Sequence, residues 1–231
     1  MVVTPRRVRA PFQRPFRDAL PEKIIEKVMS SLSLWFDYSC PYAYLASTQA
    51  EALAARAGAE LVWKPMLLGG VFAARATPQN LAGTLSPAKA RHMRADLARW
   101  ADLFGVPLVM PPEHPRRTVS ALRATLAHGC DPAIIHAFYR AYWVEGRAVE
   151  DDAVVREIAG NVDLAAHRDD LRARTDAAIA LGIFGAPTFQ VGDELWWGQD
   201  RMQFVERHLV EKHLVEKRLV ENHLAEKALL P

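Results

Sequence analysis

The sequence predicts an α/β fold in which a small sheet is assembled from the two ends of the ordered region, with an all-helical segment inserted between them. Three observations predict it. Near the start, Leu32, Leu34 and Phe36 alternate with Ser33, Trp35 and Asp37, the period of a strand. Near the end, Thr188-Phe189-Gln190-Val191, a Gly192-Asp193 turn and Glu194-Leu195-Trp196-Trp197 read as a β-hairpin. Between them, apolar stripes recur at helical spacing.

The first strand leads into Cys40-Pro41. Proline suits the first position of a helix, because its missing N–H would find no partner there. This helix carries Tyr44, Leu45, Ala50 and Leu53 and stops at Gly58, and Leu61-Val62-Trp63 is a second strand. Strand, helix, strand is the opening unit of a thioredoxin-like fold. Ser86-Pro87 starts the first inserted helix, whose stripe of Met93, Leu97, Trp100 and Phe104 ends at Gly105. Val119, Leu122 and Leu126 form a second stripe, ending at His128-Gly129. Ile134, Ile135, Phe138 and Tyr142 form a third, and Val154, Val155 and Ile158 a fourth. Leu164, Leu171 and Ile179 lie on a fifth, ending at Leu181-Gly182, and a final helix is expected from about Asp200.

The expected organisation is a core of 31–75 and 181–206 around a helical insertion, 76–180. Residues 1–30, with Pro5, Pro11, Pro15 and Pro21 among arginines and no sustained period, are expected to form a disordered extension. The alternative is a translation start at Met29. Residues 207–231 continue a five-residue repeat, as in Val205-Glu-Arg-His-Leu209 and Val210-Glu-Lys-His-Leu214. Five residues advance a helix by about 140° net of a full turn, so the Leu-Val pairs spiral instead of making a stripe. A solvated helical tail is expected. Its His208, His213 and His223 do not share a helical face, so no metal site is expected.

Half of the 231 residues are hydrophobic and 24% are charged, with a net charge of +2. That balance gives no sign of a nucleic-acid partner, and no apolar run has the length of a membrane span. The two cysteines, Cys40 and Cys130, are far apart in differing settings. Free thiols in a reducing compartment, hence a cytoplasmic protein, are the expectation.

Cys40 is the candidate catalytic residue. Between a strand and a helix start, a thiol meets unpaired backbone N–H groups and the positive end of the helix dipole. Both favour thiolate, so its pKa is expected to fall. The blander reading is a small side chain that fills space. Position 43 is Ala, so Cys-x-x-Cys chemistry is absent. Pro187, just before a strand, is the second landmark. In thioredoxin-like folds a cis proline there faces the active-site helix, and an ordinary trans proline is the alternative.

Several motifs carry a resemblance. Phe36-Asp-Tyr-Ser-Cys-Pro-Tyr-Ala-Tyr-Leu45 resembles the N-terminal motif of 2-hydroxychromene-2-carboxylate isomerases and kappa-class glutathione transferases. Phe184-Gly-Ala-Pro-Thr188 resembles their cis-proline loop, and Trp196-Trp-Gly-Gln-Asp-Arg-Met202 their Trp-Gly-x-Asp-Arg box. Asp96-Leu-Ala-Arg-Trp-Ala101 and Gly105-Val-Pro107 are similar to their helical insert. The resemblance spans roughly residues 31–206.

It implies a DsbA-like, thioredoxin-type core with a helical insertion, glutathione as cofactor, a small aromatic substrate and a homodimer. Cys40 falls on the family's active-site serine. Asn80 and Lys89 fall on an Asn and a Lys used around glutathione, Ala186 on the residue whose backbone pairs with its cysteinyl part, and Pro187 on the cis proline. Gln199 and Asp200 fall where the γ-glutamyl end is held. Lys89 can pair with a carboxylate and Asp200 with an α-ammonium. The plainer readings are a solvated helix face for Lys89 and an N-cap of the last helix for Asp200. Arg116 and Arg117 are candidates for a substrate carboxylate, with surface charge at a helix start as the plainer reading. The implied activity is glutathione-dependent isomerisation. The alternative is a glutathione transferase, peroxidase or monothiol oxidoreductase with Cys40 as nucleophile. A non-catalytic thiol-binding protein is the third reading.

Overall fold

The computed structural model describes residues 30–228. The expected extension, residues 1–30, lies outside the described residues apart from Ser30. The elements are β1 (Ser31–Phe36), α1 (Pro41–Ala57), β2 (Glu60–Pro65), α2 (Leu68–Ala74), α3 (Pro87–Phe104), α4 (Val119–Ala127), α5 (Pro132–Trp143), α6 (Asp152–Ala159), α7 (Arg168–Ala180), β3 (Thr188–Val191), β4 (Glu194–Trp197) and α8 (Met202–Ala228). A short 3-10 turn, Gln199–Arg201, leads into α8.

The sheet order is β2-β1-β3-β4. β1 pairs parallel with β2, from Ser31↔Glu60 to Phe36↔Pro65, and antiparallel with β3 through Leu34↔Phe189. β4 pairs antiparallel with β3. This is the DsbA-like thioredoxin arrangement, and residues 76–180 contribute only helices among the described residues. The alternation in β1 is less telling than its composition. As a central strand it is covered on both faces, and Leu32 through Phe36 are all buried. Trp35 meets its polar need across the sheet, its indole N–H donating to Gln190 Oε1 at 2.8 Å.

Caps place the helices where the sequence indicated. Pro41 opens α1, and Gly58 ends it in the left-handed conformation at φ 67°. Ser86 caps α3, and Gly105 closes it at φ 66°. Leu164 lies ahead of α7, which starts only at Arg168.

The sequence did not announce α2. Its seven residues include Gly69 and Gly70, and Leu67 at its N-cap supplies no side-chain acceptor. The acceptors come from elsewhere: Leu67 N–H donates to Thr175 Oγ1 at 3.0 Å and Leu68 N–H to Asp37 Oδ2 at 2.8 Å. A helix capped over such sequence separations has no local signature.

Asp37 is the joint of the structure. It is 1% exposed. Its Oδ1 accepts from Ser39 N–H (2.9 Å), Ser39 O–H (3.0 Å) and Thr118 O–H (2.8 Å), and its Oδ2 accepts from Leu68. Burial pushes its carboxyl up from the ordinary value, and the four donors pull the other way. Further bonds tie the insertion to the turn after β1. Trp143 N–H donates to Tyr38 O at 2.8 Å, Tyr38 and Thr125 share a hydroxyl bond, and Tyr44 O–H donates to Pro107 O at 2.7 Å.

α8 crosses position 207, where the tail repeat was expected to begin, as one helix. The helix runs unbroken from the 3-10 turn, and Val205 and Leu209 are fully buried. The spiral then turns the apolar pairs outward: Val210, Leu214 and Val215 are 41%, 52% and 57% exposed.

Asp37→Ala strands the Ser39 and Leu68 amides and two hydroxyls away from their acceptor. A loss of about 3–5 kcal/mol in unfolding free energy is expected in urea titration. A loss below about 1 kcal/mol would show that the joint carries no such weight.

Candidate active site

Cys40 stands at the N-cap of α1 with extended backbone angles, φ −99° and ψ 115°. Its N–H donates to Asp37 O at 3.2 Å, and its carbonyl accepts from Ala43 and Tyr44 N–H, both at 3.1 Å. The chain is thus held between the Asp37 joint and the first turn of the helix. The Cys40 side chain is 8% exposed, and its S–H donates to the Ala186 carbonyl at 3.0 Å. Cys40 and Cys130 are both unbonded thiols.

The expected fall in the Cys40 pKa is corrected. Burial pushes the thiol up to about 12, outweighing the backbone hydrogen bonds at Ala43 and Tyr42 that favour thiolate. The helix start acts in the expected direction, but desolvation is larger. Nearby Asp37 adds to the rise. Cys40 is therefore a neutral donor and not a thiolate.

Ala186–Pro187 is a cis peptide bond, and both residues are buried. The Pro187 carbonyl accepts from Gly198 N–H at 2.9 Å, which fastens the loop to the turn carrying Gln199 and Asp200. Gly198 is required there: its φ is +111°, and a Cβ would stand 2.4 Å from Asp200 Oδ1. Gln199 is buried. Asp200 is exposed, pairs with Arg201 at 3.5 Å and does not cap α8, which corrects the plainer reading of that residue.

The fold thus gathers Cys40, Ala186, Pro187, Gln199 and Asp200 at one end of the sheet. Asn80 and Lys89 lie on the insertion and are both exposed. Asn80 Oδ1 accepts from Gly83 N–H at 2.9 Å in the loop before α3. Lys89 lies in the first turn of α3, and among the described residues it has no ion-pair partner. Seven residues on, Asp96 shares its helical face, about 10 Å further along the axis. Asp96 accepts a long 3.5 Å bond from Tyr42, two residues after Cys40. Arg116 is not available for a substrate, because its guanidinium is held by Glu113 at 2.8 Å and Glu150 at 2.9 Å. Arg117 is exposed.

Tyr42 and Asp96 were quoted in the sequence motifs without a role. Tyr42 is half-buried, and burial, followed by the charge of Asp96, pushes its hydroxyl up to about 12, with Asp200 adding to the rise. Phe184 and Trp197 form an aromatic pair beside the Ala186–Pro187 loop, centroids 5.0 Å apart, each about half exposed. Gly185 admits the indole, since a Cβ there would meet Trp197 Nε1 at 2.5 Å.

Among the described residues no group of three or more His, Cys, Asp or Glu side chains is arranged to hold a metal ion, and no helix is long and apolar enough to cross a membrane.

The description of the DSBA-like thioredoxin domain matches residues 31–210. A 2-hydroxychromene-2-carboxylate isomerase of Pseudomonas putida is 30% identical over 195 residues, covering 76% of this chain and 92% of its own. One from Sphingobium xenophagum is 31% identical, covering 78% and 97%. A solved 2-hydroxychromene-2-carboxylate isomerase is 27% identical with a TM-score of 0.62, covering 84% of this chain and 98% of its own. A probable DsbA oxidoreductase from Streptomyces coelicolor has a TM-score of 0.63 at 24% identity, a likeness of fold.

With Cys130 replaced by Ser, iodoacetamide should alkylate Cys40 slowly at neutral pH and faster with each step toward pH 10, with no plateau. A plateau near pH 7 would mean the helix start prevails over burial.

Proposed function

The chain belongs to the DSBA-like thioredoxin domain family, and from that premise we propose that it is a glutathione-dependent isomerase of the 2-hydroxychromene-2-carboxylate type. The reading is supported by relatives of that name matched over nearly their whole length. The structural observation that carries it is Cys40 itself. A buried, protonated thiol at a helix start, with Ala at position 43, suits a hydrogen-bond donor and neither a dithiol exchanger nor a thiolate nucleophile.

The residues fit a zwitterionic tripeptide. Lys89 offers an unpaired cation for a carboxylate, and Asp200 an exposed anion for an ammonium. The resemblance assigns Asn80 and Gln199 to glutathione as further polar groups, and the backbone at Ala186, before the cis Pro187, to its cysteinyl part.

When bound, glutathione supplies the thiol that adds to the conjugated double bond, permits rotation and leaves again, so that it is not consumed. The chain's own work is to bind, orient and donate. Cys40 keeps its proton and stands as a neutral donor where the family has a serine hydroxyl, so no second thiolate opposes the first. The S–H is a weaker donor than O–H, which makes its fixed position at the α1 start the more important. Phe184 and Trp197 offer apolar faces to an aromatic substrate.

Isomerisation of 2-hydroxychromene-2-carboxylate, followed by absorbance with and without glutathione, tests this. Wild type should turn over only with glutathione, and Cys40→Ser should retain or raise that turnover, because a hydroxyl is the better donor. Loss of turnover in Cys40→Ser, together with a Cys40–glutathione mixed disulfide by intact mass, would instead make Cys40 a nucleophile.

A further inference from the structure

In the sheet order β2-β1-β3-β4, β2 is an edge strand. Its inner side is fully used. Glu60 N–H donates to Ser30 O at 3.1 Å and Met66 N–H to Phe36 O at 3.0 Å, with β1 and β2 in parallel register between them. Alternate residues of a strand bond to the same neighbour, so Glu60, Val62, Lys64 and Met66 bond to β1. Leu61 and Trp63 therefore turn their N–H and C=O groups outward, and among the described residues these groups have no partner. Pro65, next in that series, has no N–H to offer. A cavity of about 470 Å³ lies against the open edge, lined by each residue from Glu60 to Lys64 and by Cys130, Pro132 and Arg174. An unpaired strand edge with open space beside it is a template for another strand.

The side chains say which strand. Glu60, Val62 and Lys64 share one face of the sheet by the two-residue period. Glu60 is exposed. Lys64 is partly buried, with its ammonium 6.0 Å from the centre of the Trp35 ring. Among the described residues neither has an ion-pair partner. The strand is thus acidic at one end, basic at the other and apolar at the midpoint, Val62. Turned end for end, it is its own complement.

We propose that β2 is the docking edge for a second copy of this chain, the two β2 strands pairing antiparallel about a two-fold axis at Val62, so that two sheets become one. In that register Leu61 faces the partner subunit's Trp63, and the two exchange N–H···O bonds in both directions. The two-fold repeats the exchange at Trp63, which satisfies every outward N–H and C=O of both residues. Glu60 faces the partner subunit's Lys64, and Lys64 faces the partner subunit's Glu60. These pairs, and Val62 against the partner subunit's Val62, fall at the non-hydrogen-bonded positions, where opposed side chains come closest. The edge is short, so the association is reversible.

Sedimentation equilibrium of the full chain between about 1 and 300 μM, a range suited to a small interface, tests this. A monomer–dimer equilibrium is expected. Lys64→Glu and Glu60→Lys each set like charges against one another in both ion pairs, and each should weaken the dimer about tenfold or more. The double swap, Glu60→Lys with Lys64→Glu, should restore it to within about threefold of wild type. Leu61→Pro removes a donor that the single chain does not use, so the urea midpoint should hold while the dimer is lost. With Cys130→Ser, Val62→Cys should form a disulfide-linked dimer on oxidation, because the two-fold sets that position against itself. A chain that stays monomeric throughout would overturn the proposal. So would a dimer indifferent to both charge reversals and not cross-linked at position 62, which would place the contact elsewhere, as on the exposed Val210 and Leu214 of α8. A double swap no stronger than the single reversals would also overturn it.

Discussion

Asp37 accepts from donors that come from three separate stretches of chain, and the site depends on that convergence. One carboxyl sets the turn between β1 and α1, begins α2 and holds Thr118 at the start of α4. A buried carboxyl costs several kcal/mol unless it is met by donors, so the four partners are bound to one another through it. Because Cys40 N–H also donates to the Asp37 carbonyl, the thiol's position follows from this joint. The inserted helices are part of it: Trp143 and Thr125 grip Tyr38 on the other side of the same turn.

The strands, most helix ends and the order of core and insertion were legible in the sequence, because they rest on local chemistry. Ser86, Pro87 and Gly105 announce α3 by what each does to its own backbone. The unannounced α2 is the instructive exception, since its first amides are met by Asp37 and Thr175. The five-residue tail repeat was read for its rotation, and the outward turn of Val210, Leu214 and Val215 follows that reading. What it did not reveal is that Val205 and Leu209 anchor the same helix in the core.

The site was legible in its landmarks and not in its balance of forces. Cys40, Ala186, Pro187, Gln199 and Asp200 converge, although they come from the two ends of the ordered chain. Lys89 and Asn80 belong to the insertion, where both are exposed. The thiol's ionisation was misjudged because the helix start is visible in sequence and burial is not. Eight per cent exposure and a carbonyl acceptor turn a site that favours thiolate into one that holds a proton. That inversion gives the Ser-to-Cys departure a physical sense, since a neutral thiol can stand in for a hydroxyl where a thiolate cannot.

The central claim is that Cys40 is a neutral thiol hydrogen-bonded to a backbone carbonyl, and the S–H stretching band in the infrared observes that state directly. In Cys130→Ser protein at neutral pH, one S–H band is expected, shifted to low frequency as for a thiol bonded to a carbonyl and abolished by Cys40→Ser. Absence of the band from the Cys130→Ser protein at that pH would mean that Cys40 is a thiolate, and the account of the site as a neutral donor would be wrong.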